Sequence, residues 1–262
     1  MHIVVMTKPV PDPAAAAERL DADQRLDRAA SPAVVNGNDE YALEAALKLI
    51  EAFGGEITLL TMAPAAGAET MRKALAMGAT RGLLISEPAL AGSDVPTTAI
   101  VLATALGGLT YDLVLAGVDT SDGGGGVVPA AIAARLRLPY LGNAAKIEPD
   151  PPNGRVTVRR ITPIGYDVLE APMPALIVCT QALGEPRYPS LKGIMAARSK
   201  ELVTRTLESL GADVAGAGGA HTTTRVLGTR RPPSRGATTV VRGSAEEGAT
   251  AIVELLAARR II

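Results

Sequence analysis

YDLVLAGVDTSDGGGGVVPAAIAARL, residues 111–136, is the stretch whose reading decides the fold. Leu113, Val114, Leu115 and Ala116 form a short apolar run between turn residues, which predicts a buried strand. Gly117 ends it. Asp119, Thr120, Ser121 and Asp122 make a polar turn, and Gly123, Gly124, Gly125 and Gly126 follow. From Val127 the pattern is helical and rich in alanine, with Ile132 and Leu136 four apart. Pro129 falls in the first turn, where its missing N–H removes no bond. A strand, a glycine loop and a helix start bring backbone N–H groups and the positive end of a helix dipole to one point. That chemistry suits a phosphate. No Lys-Ser/Thr pair follows the glycines, so this is not a Walker loop, and Val128 or Pro129 stands where GxGxxG needs its third glycine. The alternative is a flexible glycine-rich turn.

Working outward, His2-Ile3-Val4-Val5-Met6 predicts a strand, and residues 7–13 break it with three prolines. Lys8, just past the strand end, stands where parallel α/β folds put ligands; a solvated surface lysine is the other reading. Residues 14–35 read as loop, with a short strand at 25–28. Asn38 or Asp39 is a suitable N-cap for a helix over residues 41–50. Strands follow at 56–62 and 82–86, and helices at 67–77 and 96–109. This β-α repeat predicts a parallel sheet with right-handed crossovers. After Pro139 the pattern changes to short strands at 144–148, 155–161, 166–170 and 176–180, read as an antiparallel extension. Residues 185–193 read as a loop and 194–200 as a short helix. Residues 211–236 lack periodicity and read as a linker or arm. A helix at 245–258 has Ile252, Leu255 and Leu256 on one face, for docking on another surface or packing back on its own domain. The expected organisation is an α/β domain over residues 1–210 and a C-terminal arm over 211–262.

The chain has 262 residues, 47% hydrophobic and 20% charged, with a formal net charge of -1. That near-neutral balance argues against nucleic-acid or membrane-surface binding. No apolar run is long enough to span a bilayer and no signal peptide is evident, so a cytoplasmic location is expected. The single Cys179 cannot pair internally and suits a reducing compartment. With two His and no Cys/His cluster, a zinc site is not expected.

The opening Val4-Val5-Met6-Thr7-Lys8-Pro9-Val10-Pro11-Asp12 belongs to a wider pattern. It is joined by residues 36–46, by Arg72-Lys73-Ala74-Leu75-Ala76-Met77-Gly78-Ala79, by the loop 117–129, and by Glu185-Pro186-Arg187-Tyr188-Pro189-Ser190-Leu191-Lys192-Gly193-Ile194-Met195-Ala196. Together they resemble the β subunit of electron transfer flavoprotein, the FixA type, over nearly the whole chain. The resemblance implies a doubly wound sheet of the adenine nucleotide α-hydrolase type and a heterodimer with an α subunit that carries most of the FAD site. The β subunit would not be catalytic alone. It would hold a structural AMP, brace the flavin domain and recognise acyl-CoA or other dehydrogenases. Electrons would pass through FAD to a quinone oxidoreductase or another acceptor.

Carried over by the same resemblance, the AMP contacts are Met6, Asn36, Gly37, Asn38, Asp39 and Met62, with Gly117, Val118, Asp119, Thr120, Ser121, Asp122, Gly123, Gly124, Gly125, Gly126, Val127 and Val128. Leu191 matches the leucine of the family's recognition loop. Three departures stand out. Relatives that hold a second FAD in β have Thr and Gln in the loop where residues 123–126 are all glycine, so a phosphate here is held by backbone N–H groups. An acidic residue usual after Arg160 is Ile161, which removes an ion pair with the α subunit. An aromatic that reaches the flavin in some relatives is Pro13. Two other readings remain: a bifurcating β subunit with its own FAD, and an adenylate-handling enzyme, which would need a cation beside the phosphates that the loop itself lacks.

Overall fold

The computed structural model describes residues 1–15, 19–211, 214, 217–230, 233, 236, 238 and 240–262. Parts of the stretches read from sequence as loop (14–35) and linker (211–236) lie outside the described residues. The chain forms two compact units, Met1–Arg225 and Val226–Ile262.

The first unit is built on β1 (His2–Met6). It pairs in parallel with β4 (Glu56–Met62) on one side and β6 (Leu113–Gly117) on the other. Beyond β4 lie β5 (Arg81–Ile85) and β11 (Leu202–Arg205), both parallel. Beyond β6 lie β10 (Ala175–Cys179), β7 (Tyr140–Asp150), β8 (Arg155–Thr162) and β9 (Gly165–Pro172). The last three form an antiparallel meander. The alternation along β1 shows why this order is stable. Ile3 and Val5 enter one core with Leu43 and Ala46 of α1 (Gly37–Phe53) and Met71 and Leu75 of α2 (Gly67–Met77). Val4 and Met6 enter the other, with Val101 and Leu106 of α3 (Val95–Gly107) and Ile132 of α4 (Val128–Leu136). Helices therefore cover both faces, and the strand must be apolar at every position. Each fully buried Val, Leu or Ile contributes about 1.5–3 kcal/mol.

Crossovers run from β1 to one side through β4 and β5, then return over the sheet to β6. The direction reverses between β1 and β6, and a crevice opens at their carboxyl ends.

The structure corrects several local expectations. The strand at 176–180 is not part of the antiparallel extension: β10 is parallel to both β6 and β7. Its five residues are all buried, as a strand covered on both faces must be. The proline-rich breaker after β1 contains β2 (Pro9–Pro11), paired with β3 (Ala33–Val35) in a two-stranded ribbon whose edges tolerate proline. Residues 25–28 form only an isolated bridge, Leu20 with Leu26, followed by a 3₁₀ turn at Arg28–Ala30. Helix α1 starts at Gly37, with Asn36 rather than Asn38 or Asp39 in the N-cap position and no side-chain cap. The expected helix at 194–200 is α5 (Leu191–Ala197), begun earlier by Ser190, whose Oγ accepts the Gly193 N–H at 3.0 Å. Strand β11 was not foreseen. A short helix α6 (Leu207–Leu210) follows it.

The second unit, described by itself, contains α7 (Ala245–Ala258). Ser244 and Glu247 close a capping box at its start.

Candidate functional site

A cleft of about 840 Å³ lies beyond the carboxyl ends of β1, β4, β5 and β6. Apolar side chains from β1 and β4, Met6, Leu60 and Met62, line its floor, and Leu90, Val95 and Leu102 line a wall. The glycine loop enters from the opposite side and leads directly into α4. No side chain caps that helix.

Of the residues expected from sequence, Met6, Asp39, Met62, Gly117, Asp119, Thr120, Gly123, Gly125, Gly126, Val127 and Val128 line this one cleft. Asn36, Gly37, Asn38, Val118, Ser121, Asp122 and Gly124 do not line it. Two of these, Asn36 and Asn38, brace the loop from behind. Asn36 Nδ2 donates to the Asp119 carbonyl at 2.8 Å, and Asn36 Oδ1 accepts the Ser121 N–H at 3.2 Å. Asn38 Nδ2 donates to Asp119 Oδ1 at 2.6 Å. At the start of α1, where the sequence offers Asn38 or Asp39 as an N-cap, the Asn36 and Asn38 amides are thus spent on a loop more than 80 residues away. Gly124 donates its N–H to the Thr120 carbonyl at 2.7 Å, and Gly124 and Gly126 take φ of 56° and 60°, which favours glycine.

Two cations stand beside the loop: Lys8, for which the sequence leaves a ligand-side and a surface reading open, and Arg28, which the sequence reading does not single out. Lys8 Nζ lies 2.8 Å from Asp122 Oδ1, and Arg28 Nη2 lies 2.6 Å from Asp122 Oδ2. Both cations line the cleft. The loop itself supplies no lysine, as read from sequence; the lysine beside it comes from the end of β1, in the ligand-side position that the sequence reading weighs for Lys8. Burial pushes the Asp122 carboxyl up, but the Lys8 hydrogen bond and charge, then Arg28 and Thr120, outweigh it and hold it at about 2. At the far rim, Asp94 caps α3 by accepting the Thr97 N–H at 3.0 Å. Its other oxygen accepts from the Thr223 and Thr224 N–H groups at 2.8 and 3.0 Å. Those hydrogen bonds outweigh desolvation and hold Asp94 below the usual carboxylate range. Thr224 lines the cleft, a contribution that no sequence pattern marks.

Asp39 is buried, and its Oδ2 accepts the Lys8 N–H at 2.8 Å. Desolvation raises its carboxyl from 3.8 to about 7, against hydrogen bonds from Asn36, Lys8 and Gly117 and the Lys8 charge. The sign follows from linkage. Between about pH 4 and 7 the unfolded chain has lost the proton that the folded chain keeps, so stability falls as pH rises through that window. Denaturant unfolding at pH 5 and pH 8 is expected to differ by a few kcal/mol, with Asp39→Asn flattening the slope. A wild-type profile rising from pH 5 to 8 would contradict this assignment.

A second surface lies away from the cleft. Tyr188, Leu191, Ile194 and Met195 are exposed, Tyr188 at 95% and Leu191 at 75%. The segment is held by Arg187, whose Nε donates to Glu44 Oε2 at 2.8 Å and whose Nη2 donates to Glu51 Oε2 at 3.2 Å. Those hydrogen bonds keep the guanidinium pKa raised. Arg72 donates to the Ala197 carbonyl at 2.7 Å, and Lys200 Nζ donates to the Leu75 and Ala79 carbonyls, so α5 is bound to the end of α2. On the β8–β9 hairpin Ile161 is exposed, while Arg160 donates to Asp167 at 3.2 Å within the hairpin itself.

Switch-point crevice, glycine loop and uncapped helix start define a doubly wound α/β protein of the type that takes ligands at its strand ends. The family model described as "Electron transfer flavoprotein domain" matches residues 25–210. "Electron transfer flavoprotein subunit beta" of Mycobacterium leprae is 38% identical over 267 residues, covering 100% of this chain and 99% of that one. The protein of the same name from Mycobacterium tuberculosis is 39% identical with the same coverage. "Caffeyl-CoA reductase-Etf complex subunit CarD" of Acetobacterium woodii is 32% identical over 268 residues, with 100% of both chains covered. The chain belongs to the electron transfer flavoprotein family, on the side of its β subunits. Membership implies electron transport, association with flavin and an α-subunit partner. Among the described residues no helix is long and apolar enough to cross a membrane.

Proposed function

We propose that this chain holds a structural AMP in the cleft between β1 and β6 and braces the FAD domain of an α subunit, without catalysing a reaction itself. It works in the cytoplasm and receives electrons from acyl-CoA or other dehydrogenases, which pass via FAD to a quinone oxidoreductase or another acceptor. The observation that carries the AMP reading is the convergence of the glycine loop, the uncapped start of α4 and an apolar floor on one cleft. Backbone N–H groups and the helix dipole suit the phosphate, and Met6, Leu60 and Leu102 suit the base. Of the arm expected over residues 211–262, the part up to Arg225 belongs to the first unit; the part beyond it is assigned to the partner subunit, with α7 as its docking helix. The exposed Leu191 surface is assigned to the dehydrogenase, a leucine anchor in a partner's pocket.

The test is co-expression with the α subunit, followed by denaturation and mass spectrometry of the released ligands. One AMP and one FAD per heterodimer are expected; a heterodimer that releases no adenine nucleotide beyond FAD would refute the AMP assignment. One observation favours a second reading, an FAD in this subunit. The cleft, at about 840 Å³, is near the upper end of the range for drug-sized ligands, roughly 300–1,000 Å³, and leaves room beyond a mononucleotide. A flavin absorbance spectrum from the isolated chain would decide for it.

A further inference from the structure

We propose that Arg28 is a positioning residue for the nucleotide's phosphate: it and Lys8 clamp Asp122 from both sides, and that clamp sets where the four glycines begin. The inference rests on the cleft being a nucleotide site and adds how the glycine loop is aimed.

The carboxylate of Asp122 directly precedes the glycines, and its side chain is only 1% exposed. Each oxygen takes one cation, Oδ1 from Lys8 and Oδ2 from Arg28. Four consecutive glycines have more backbone freedom to lose than any other tetrapeptide. Among the described residues, their backbone makes one turn bond before α4, from Gly124 to Thr120. The loop's approach must therefore be fixed at its ends. Asn36 and Asn38 fix Asp119 and Ser121; Asp122 is the last residue with a side chain before the glycines.

Arg28 has no local reason to be there. It sits 94 residues away, on the excursion between β2 and β3. Among its described residues, the Arg25 guanidinium lies over the Gly92 turn and Arg28 sits on Asp122. Lys8 and Arg28 both line the cleft while the Asp122 carboxylate does not, so the clamp presents two cationic donors beside the loop, which an anion can engage and a neutral ligand cannot. Both effects act on the phosphate and not on the base or ribose.

The test is calorimetric titration of the full chain, stripped of nucleotide, with AMP and with adenosine. Arg28→Ala is expected to weaken AMP about ten- to a hundredfold, the range for losing a charge-assisted hydrogen bond, with adenosine unchanged. Arg28→Lys should restore most of the loss. Arg28→Ala added to Asp122→Asn should weaken AMP little further, because both remove one clamp. Equal losses for AMP and adenosine, or full additivity with Asp122→Asn, would overturn the proposal. Failure of the wild-type chain to bind AMP at all would instead remove the nucleotide reading on which it rests. Should Arg28→Ala fail to fold, Arg28→Lys and Arg28→Gln carry the same comparison, and a common AMP-to-adenosine ratio in wild type and both variants would overturn it.

Discussion

Arg187→Ala is expected to destabilise the chain by about 3 kcal/mol, the low end for breaking a buried ion pair. The reason is what it leaves behind. Glu44 faces the core side of α1 with its side chain 5% exposed, and Arg187 supplies its backbone N–H, Nε and Nη2 to the two carboxylate oxygens. Lys48, at 3.8 Å, is the remaining cation, and Arg187 is itself partly exposed, which keeps the loss from being larger. For a unit of this size that corresponds to roughly 6–12 °C in melting temperature. The double replacement Glu44→Leu with Arg187→Leu should recover most of it, because no charge is then stranded. The same substitution releases the segment that carries Tyr188 and Leu191, so dehydrogenase-driven reduction of the flavin should fall as well. Leu191→Ala separates the effects: melting unchanged, flavin reduction slowed. A melting change under 2 °C for Arg187→Ala would show that Glu44 does not depend on it.

Gly117→Ala is expected to abolish nucleotide retention and to destabilise the fold by about 1–3 kcal/mol, the usual range for overpacking a filled core. A Cβ at this position would stand 2.6 Å from both the Asn38 carbonyl carbon and Asp39 Oδ1. Neither can retreat: Asp39 is buried against Lys8, and Asn38 is fixed to Asp119. The added methyl therefore pushes the start of α1 away from the end of β6 and opens the brace behind the glycine loop. Heterodimer purified with Gly117→Ala should release FAD but no AMP on denaturation, and should melt lower. AMP at wild-type occupancy would show that the close approach of α1 to β6 is not needed for the site.

The sheet was largely legible because its information is local. A short apolar run, a glycine stop and an amphipathic helix repeat from β1 to α4, and each element can be read within a dozen residues. The glycine loop was legible for the same reason. Its supports were not. Nothing near Arg28 or Lys8 says that they meet at Asp122, since those pairs are 94 and 114 residues apart. Asn36 stands at the N-cap of α1 and Asn38 in its first turn, where such residues commonly cap. Here the loop after β6 competed for their side chains and won. The placement of β10 was hidden differently. Five apolar residues among turns look alike whether their neighbours run parallel or antiparallel, and only the burial of both faces tells them apart. Strand β11 was missed because three of its four residues are exposed, so no alternation marks it.

That position of β10 also orders events on the ribosome. Strand β6 pairs with β1 as soon as both exist, but its other edge waits for residues 175–179, while β7, β8 and β9 emerge first and can pair among themselves. For a period on the order of seconds at ordinary translation speed, the nascent chain carries a bare apolar strand edge beside a finished three-stranded flap. The late strand must then slot between them, so this is the step at which wrong pairing with a neighbouring nascent chain competes, and the step that a holding chaperone would protect.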